Sequence, residues 1–303
     1  MSAKHSKNFL LLFITAGIWG IAFVAQSVAM DYVGPYTFNM VRNFLGGAVL
    51  IPCIFLLSRI SARQEGAPSA APDAPKDLPK DLILGGGLCG FLLFVSTSLQ
   101  QVGILYTTVG KAGFITALYI ILVPILGIVL GKMPEKKIWL CIVIALAGLY
   151  LLCMKGSFSL SKGDFLVLIC SFCFSVHIMV IDHFSYRVDG VKLSCIQFFV
   201  CSLFSAVPMF LLETPQMKDI LAAWLPIIFA GVFSCGIAYT FQILGQKGTD
   251  PTIASLILSL ESVVSVLAGW ILLGQSLSPR EIAGCVLMFG ATILAQVNLP
   301  KKS

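Results

Sequence analysis

The chain has 303 residues, is 58% hydrophobic and only 11% charged, and carries a net charge of +6, with a mean hydropathy of +0.96. A soluble domain carries roughly 25% charged residues, so this chain lacks the polar side chains to cover a water-facing surface. Its basic residues stand in short connections between apolar runs, the pattern of membrane topology, and nucleic-acid binding is not expected.

A membrane-crossing helix needs about 20 mostly apolar residues. Ten such runs are read at approximately 8–29, 35–58, 81–102, 105–131, 136–154, 163–184, 190–212, 221–245, 251–274 and 279–297. The first follows a basic start and is too long, without a cleavable polar region after it, to be a signal peptide; it is read as an uncleaved span. It carries Trp19, a candidate cavity wall that could stack on a ligand, with an interfacial or core aromatic as the alternative. The second span holds Arg42, roughly 10 Å from its outer end by helix rise. An arginine at that depth attracts a carboxylate, pairs with an internal acid, or snorkels to the surface.

Residues 61–80, with four prolines and mixed charge, read as a flexible loop outside the membrane. The third span ends on Gln100 and Gln101, amides able to hydrogen-bond in a cavity. Lys111, near the start of the fourth span, could meet a substrate carboxylate, although an interfacial lysine against lipid headgroups is the favoured reading. Tyr119 and the neighbouring threonines offer hydroxyls, and Pro124 predicts a kink in the same span. The sixth span holds His177, read first as a packed neutral imidazole and second as a proton relay. Its Cys170 and Cys173 are read as packing residues, since a lone CxxC on an apolar helix makes no metal or redox site. Gln242 ends the eighth span as Gln100 ends the third.

The ninth span, "LILSLESVVSVLAGW", is the informative one: Glu261 stands alone among apolar residues, with nothing else charged between Asp250 and Arg280. It lies roughly 15 Å along its helix, near the centre of a ~30 Å hydrocarbon core, where an ionised group costs a few kcal/mol or more. Ser259 and Ser262 flank it at spacings that suit either close packing or a polar cavity. Three roles are open for Glu261. It can bind a proton during a cycle, because an apolar surrounding penalises its charge. It can hold a substrate ammonium. It can be a fixed carboxylate that locks helix packing.

Signals recur about 142 to 155 residues apart: Gln100-Gln101-Val102-Gly103 with Gln242-Ile243-Leu244-Gly245, and Ile128-Val129-Leu130-Gly131 with Ile271-Leu272-Leu273-Gly274. The expected organisation is therefore two five-helix repeats, 1–154 and 155–303, in an all-α integral membrane protein. An odd number of crossings per repeat inverts the second copy, an architecture of secondary transporters that places the substrate site between the halves. Fourteen Lys and Arg fall on one side of the spans and four on the other, which places both termini in the cytoplasm.

The stretches "QQVGILYTTVGKAGFITALYIILVPILG" and "ASLILSLESVVSVLAGWILLGQSLSPREIAGCVLMFGATILAQ" resemble the ten-helix drug/metabolite transporter superfamily, specifically its EamA-type permeases. Glu261 matches that family's mid-helix acid, while Gln275 departs from the second acid often found after "LLG". The resemblance implies a multi-pass transporter of a cytoplasmic membrane that exports small metabolites, amino acids or drug-like molecules. It also implies a central cavity formed by spans three, four, eight and nine, with spans one, two, six and seven as moving walls.

No cofactor or metal is expected, and the absence of GxxxxGK[ST] argues against ATP hydrolysis by this chain. The partners expected are a small-molecule solute, membrane lipid and, as a candidate coupling ion, the proton; monomer and homodimer stay equally open. An organophosphate or nucleotide-sugar exchanger is the alternative, disfavoured because only Arg42 and Lys111 supply buried positive charge. A non-transporting scaffold or sensor has little surface to work with. An intramembrane enzyme is not expected, since neither HExxH nor GxSxG occurs.

Overall fold

The computed structural model describes residues 3–64, 79–107, 109–153, 161–273 and 278–296, which are helical apart from short turns. The helices are α1 Ala3–Ala29, α2 Pro35–Gln64, α3 Pro79–Ile104, α4 Val109–Thr116, α5 Tyr119–Val129, α6 Lys136–Cys153, α7 Lys162–Ser185, α8 Gly190–Leu212, α9 Met217–Ala222, α10 Trp224–Ile228, α11 Thr240–Gln246, α12 Pro251–Leu258, α13 Glu261–Leu273 and α14 Pro279–Gln296, with a π-helical segment Phe229–Tyr239 between α10 and α11. Among the described residues, eight helical stretches are long and apolar enough to cross a membrane. The 18-residue α6 and α14 occupy the places expected of the fifth and tenth spans.

Three expected spans are not single α-helices. The fourth divides into α4 and α5, the ninth into α12 and α13, and the eighth passes through the π-helical segment. The second runs past its expected end to Gln64, because 59–64 contains neither proline nor glycine to stop it. Most of the expected 61–80 loop lies outside the described residues.

Helices at equivalent places in the two units pack against one another, α2 on α8 and α6 on α14. Both pairs run antiparallel. Glu213, after α8, accepts from Thr37 N at the start of α2 at 2.8 Å, while Cys195, near the start of α8, faces the Gly47 carbonyl further along α2. Lys137 Nζ reaches the Ala295 carbonyl from the opposite end of the α6–α14 pair. The remaining large contacts come in matched couples: α3 on α7 answers α1 on α11, and α5 on α7 answers α1 on α13. Such matching is what two copies of one unit related by a two-fold produce.

Close approach makes the α6–α14 pair. A Cβ on Gly284 would stand 2.7 Å from the Gly148 carbonyl oxygen, and one on Gly148 would stand 2.9 Å from that of Gly284. Gly284→Val is therefore expected to push the helices apart, at a cost of about 1–3 kcal/mol typical of overpacking. Thermal unfolding in detergent should show a midpoint lowered by several degrees, and an unchanged midpoint would mean the pair does not limit stability.

The face that carries both ends of the described chain is held by an ion pair, Lys132 Nζ to Asp182 Oδ2 at 3.0 Å, joining the turn after α5 to the end of α7. The hydrogen bond and charge of Asp182 raise the Lys132 pKa above the ordinary lysine value. Lys132 is thus charged at neutral pH, and the stability that its lifted pKa contributes is lost as pH rises through that value.

Candidate substrate cavity

The two broken spans place their breaks at equivalent positions, so Tyr119 begins α5 as Glu261 begins α13. The two side chains meet: Tyr119 Oη donates to Glu261 Oε1 at 3.0 Å across a sequence separation of 142. Hydroxyls that compete for main-chain carbonyls bend or interrupt helices, and both breaks are surrounded by them. Ser171 donates to the Thr116 carbonyl at 2.9 Å and Ser262 to that of Gly113 at 3.4 Å. In the second unit Ser255 and Ser259 each donate at 2.8 Å to carbonyls of their own helix, those of Thr252 and Leu256. Gly20 lets α1 lie on this break, since a Cβ there would sit 2.7 Å from the Glu261 carbonyl oxygen.

Beside the breaks lies a cavity enclosing about 520 Å³ not filled by atoms, its opening included. Its polar lining is Gln26, Arg42, Gln100, Thr116, Ser234, Gln242 and Glu261, with the hydroxyl-bearing rings of Tyr119 and Tyr239. Its apolar wall is Trp19, Phe23, Phe174, Ile178 and Leu258, and the Trp19 and Tyr239 rings pack at 4.5 Å between centroids. Gln100 Nε2 donates to Thr116 Oγ1 at 3.2 Å.

Several lining atoms are buried without a hydrogen-bond partner: the donors Trp19 Nε1 and Arg42 Nε, and the acceptors Gln26 Oε1 and Gln242 Oε1. Each such group costs about 1–3 kcal/mol while unsatisfied, a cost that a bound solute or ordered water offsets. Arg42 is only 4% exposed, so it does not snorkel. Its guanidinium lies 4.9 Å over the Phe38 ring, and among the described residues no carboxylate pairs with it.

The structure gathers Trp19, Arg42, Gln100, Tyr119, Gln242 and Glu261 around one space and leaves others out of it. Gln101 is fully buried outside the lining, with Nε2 at 3.5 Å from the Gln26 carbonyl. Ser259 and Ser262 face main-chain carbonyls, Ser259 that of Leu256 in its own chain segment and Ser262 that of Gly113 on the facing α4. His177 stands behind the wall, its ring 6.3 Å from that of Tyr239 and its Nε2 3.2 Å from Gln197 Oε1. Trp270 is half exposed on the outer surface. Lys111 belongs to α4, but its side chain lies outside the described residues, as does Gln275.

The wall is also wider than spans three, four, eight and nine. Spans one, two and six supply Trp19, Arg42 and Phe174, because α1 and α7 each pack against the broken span of the other unit.

Two matched units around an internal polar cavity are the frame of a carrier, and the comparison with known families decides which. The sequence profile of the EamA-like transporter family matches residues 6–154 and again 161–296.

The chain belongs to the EamA-like transporter family.

An uncharacterized transporter of Archaeoglobus fulgidus is 29% identical over 289 residues, spanning 95% of this chain and 85% of that one. The uncharacterized transporter YwfM of Bacillus subtilis is 22% identical over 297 residues, spanning 94% and 92%. A solved crystal structure shares the fold at a TM-score of 0.76 and 19% identity, over 96% of each chain. Like other members of a transporter family, this EamA-like protein is a multi-pass membrane protein that moves a small molecule.

In this EamA-like chain the cavity also takes residues that the sequence does not single out. Gln26 has the same signal as Gln242, an amide inside an apolar run, but its place near the end of the first span gives it the look of an interfacial residue. Ser234 and Tyr239 come from the π-helical segment, whose wider turn displaces side chains from the α-helical register; such turns recur at functional sites. No periodicity in "FAGVFSCGIAY" announces it.

Proposed function

We propose that this protein is a secondary exporter of small organic solutes that carry both an anionic and a cationic group on an apolar body, as amino acids do. The observation that carries this reading is the set of unpartnered polar groups around one cavity. Arg42 and Trp19 present donors, while Gln26 and Gln242 present acceptors beside the Glu261 carboxylate. A carboxylate suits the first pair and an ammonium suits the second group, while Trp19, Phe23 and Phe174 cover the solute body. Among the described lining residues Arg42 is the one cation, which gives little support to an organophosphate or nucleotide-sugar exchanger, whose substrates bring two or more negative charges.

The two units, residues 1–154 and 155–303, would open the cavity to each side in turn. The excess of Lys and Arg on the face with the chain ends supports a cytoplasmic assignment for that face. Resemblance to metabolite exporters supports outward movement, and the proton is the candidate driving ion, with Glu261 its carrier.

The test is counterflow in proteoliposomes of purified protein. Zwitterionic amino acids of increasing apolar size are compared with matched monoamines and monocarboxylates. Preferential exchange of the zwitterions supports the reading. Equal exchange of monoamines would remove Arg42 from recognition, and exchange of phosphate esters alone would favour the alternative.

A further inference from the structure

Beyond the cavity, the two units carry matched polar latches at opposite faces. At the face with the chain ends, Asn8 near the start of α1 donates through Nδ2 to the Lys247 carbonyl at 2.8 Å and to Thr249 Oγ1 at 3.4 Å. Those residues connect α11 to α12. At the opposite face, Asp164 near the start of α7 accepts a short hydrogen bond from the Thr107 hydroxyl in the connection from α3 to α4. Helices α1 and α7 are equivalent, and Thr107 and Thr249 are separated by the same interval as Tyr119 and Glu261. A glycine at the end of the preceding helix backs each latch. A Cβ on Gly245 would meet the Asn8 carbonyl oxygen at 3.1 Å, and one on Gly103 would meet that of Gly163 at 3.2 Å.

We infer that these two contacts are the alternating gates: the Asn8–Thr249 latch shuts the cavity toward the face with the chain ends, the Thr107–Asp164 latch shuts it toward the opposite face, and transport releases them in turn. The inference rests on the alternating-access reading above. Its physical basis is symmetry. A contact between equivalent positions, such as Tyr119 with Glu261, sits on the two-fold and survives when the units exchange conformations. A contact between non-equivalent positions sits off the axis and has a mate at the other face; both are made in this structure, so opening toward one face breaks one latch and leaves the other. Asn8 with Thr249 and Asp164 with Thr107 are such mates.

The Lys132–Asp182 ion pair breaks the symmetry. Among the described residues it has no mate at the opposite face, and the last turn of α1, equivalent to that of α7, bears no acid. Asp182→Asn is therefore expected to loosen the face with the chain ends.

The test uses Ser234→Cys, on the cavity wall, in sealed proteoliposomes of known orientation. A membrane-impermeant maleimide is added to one side at a time, and labelling at position 234 is read by site-resolved mass spectrometry. Asn8→Ala, or Thr249→Val should the first fail to fold, is expected to raise labelling from the face with the chain ends severalfold. Asp182→Asn should act in the same direction, and Thr107→Val should raise labelling from the other face. Changes that are equal from both faces, or no change, overturn the gate assignment. Solute counterflow by the unmodified protein in the same vesicles is read separately. Its presence beside unchanged labelling sinks the gates alone, whereas its absence sinks the transport reading itself.

Discussion

Glu261→Gln is expected to lower the initial rate of solute exchange by about tenfold to a hundredfold at matched membrane expression. The carboxylate is buried on the cavity wall and accepts from Tyr119 Oη at 3.0 Å. Glutamine keeps the shape and an acceptor for that hydroxyl, so the two half-helices stay joined while the ionisable group is lost. A charge-assisted hydrogen bond is worth about 1.5–3 kcal/mol, and about 1.4 kcal/mol is tenfold in rate or affinity. Tyr119→Phe is the companion variant, since it removes the bond and leaves the acid. If Glu261→Gln exchanges solute at the wild-type rate while Tyr119→Phe lowers expression, the acid belongs to packing. If Glu261→Gln still exchanges solute but no longer accumulates it against a proton gradient, the acid carries the coupling proton.

The second large effect is expected at Arg42. Arg42→Met keeps the side-chain length and its apolar stem, and should abolish exchange of solutes bearing a carboxylate while sparing the folded state. Removing one partner of a buried charged pair costs about 2–5 kcal/mol, which lowers affinity by roughly thirtyfold or more. Stability should hold or rise, because the guanidinium has no carboxylate partner among the described residues and an unpartnered Nε. Arg42→Lys separates charge from shape, since an ammonium cannot offer the planar fork that binds a carboxylate through two bonds. Binding measured by tryptophan fluorescence suits this test, given Trp19 on the same wall. Undiminished binding of a zwitterion to Arg42→Met would remove the arginine from the site.

Arg42 and Glu261 stand out in the sequence as outliers, because an ionisable residue deep in an apolar helix is too costly to be incidental. Gln100, Gln242, Tyr119 and Trp19 are legible by polarity or ring in the same runs. Ser259 and Ser262 lie outside the lining for a physical reason: serine spacing beside an acid suits close packing as well as a wet cavity, and here each hydroxyl meets a main-chain carbonyl within reach. Both broken spans look whole in the sequence, because the breaks arise from hydroxyls on other helices and from local back-bonding, neither of which alters the apolar run. Pro124, the feature expected to kink the fourth span, lies inside α5, beyond the break.

By itself the sequence determined the class of the molecule, the number of its long apolar runs, the repeat and the presence of costly charges, since composition and period respond to the solvent around a helix. Only the tertiary structure decided which of those polar groups face one another. Tyr119 meets Glu261, and Gln26 joins Gln242, because α1 and α7 cross onto the broken helices of the opposite unit. Partnerships across separations of more than a hundred residues depend on how units pack, and the pattern along one helix carries no record of the side chains on the next.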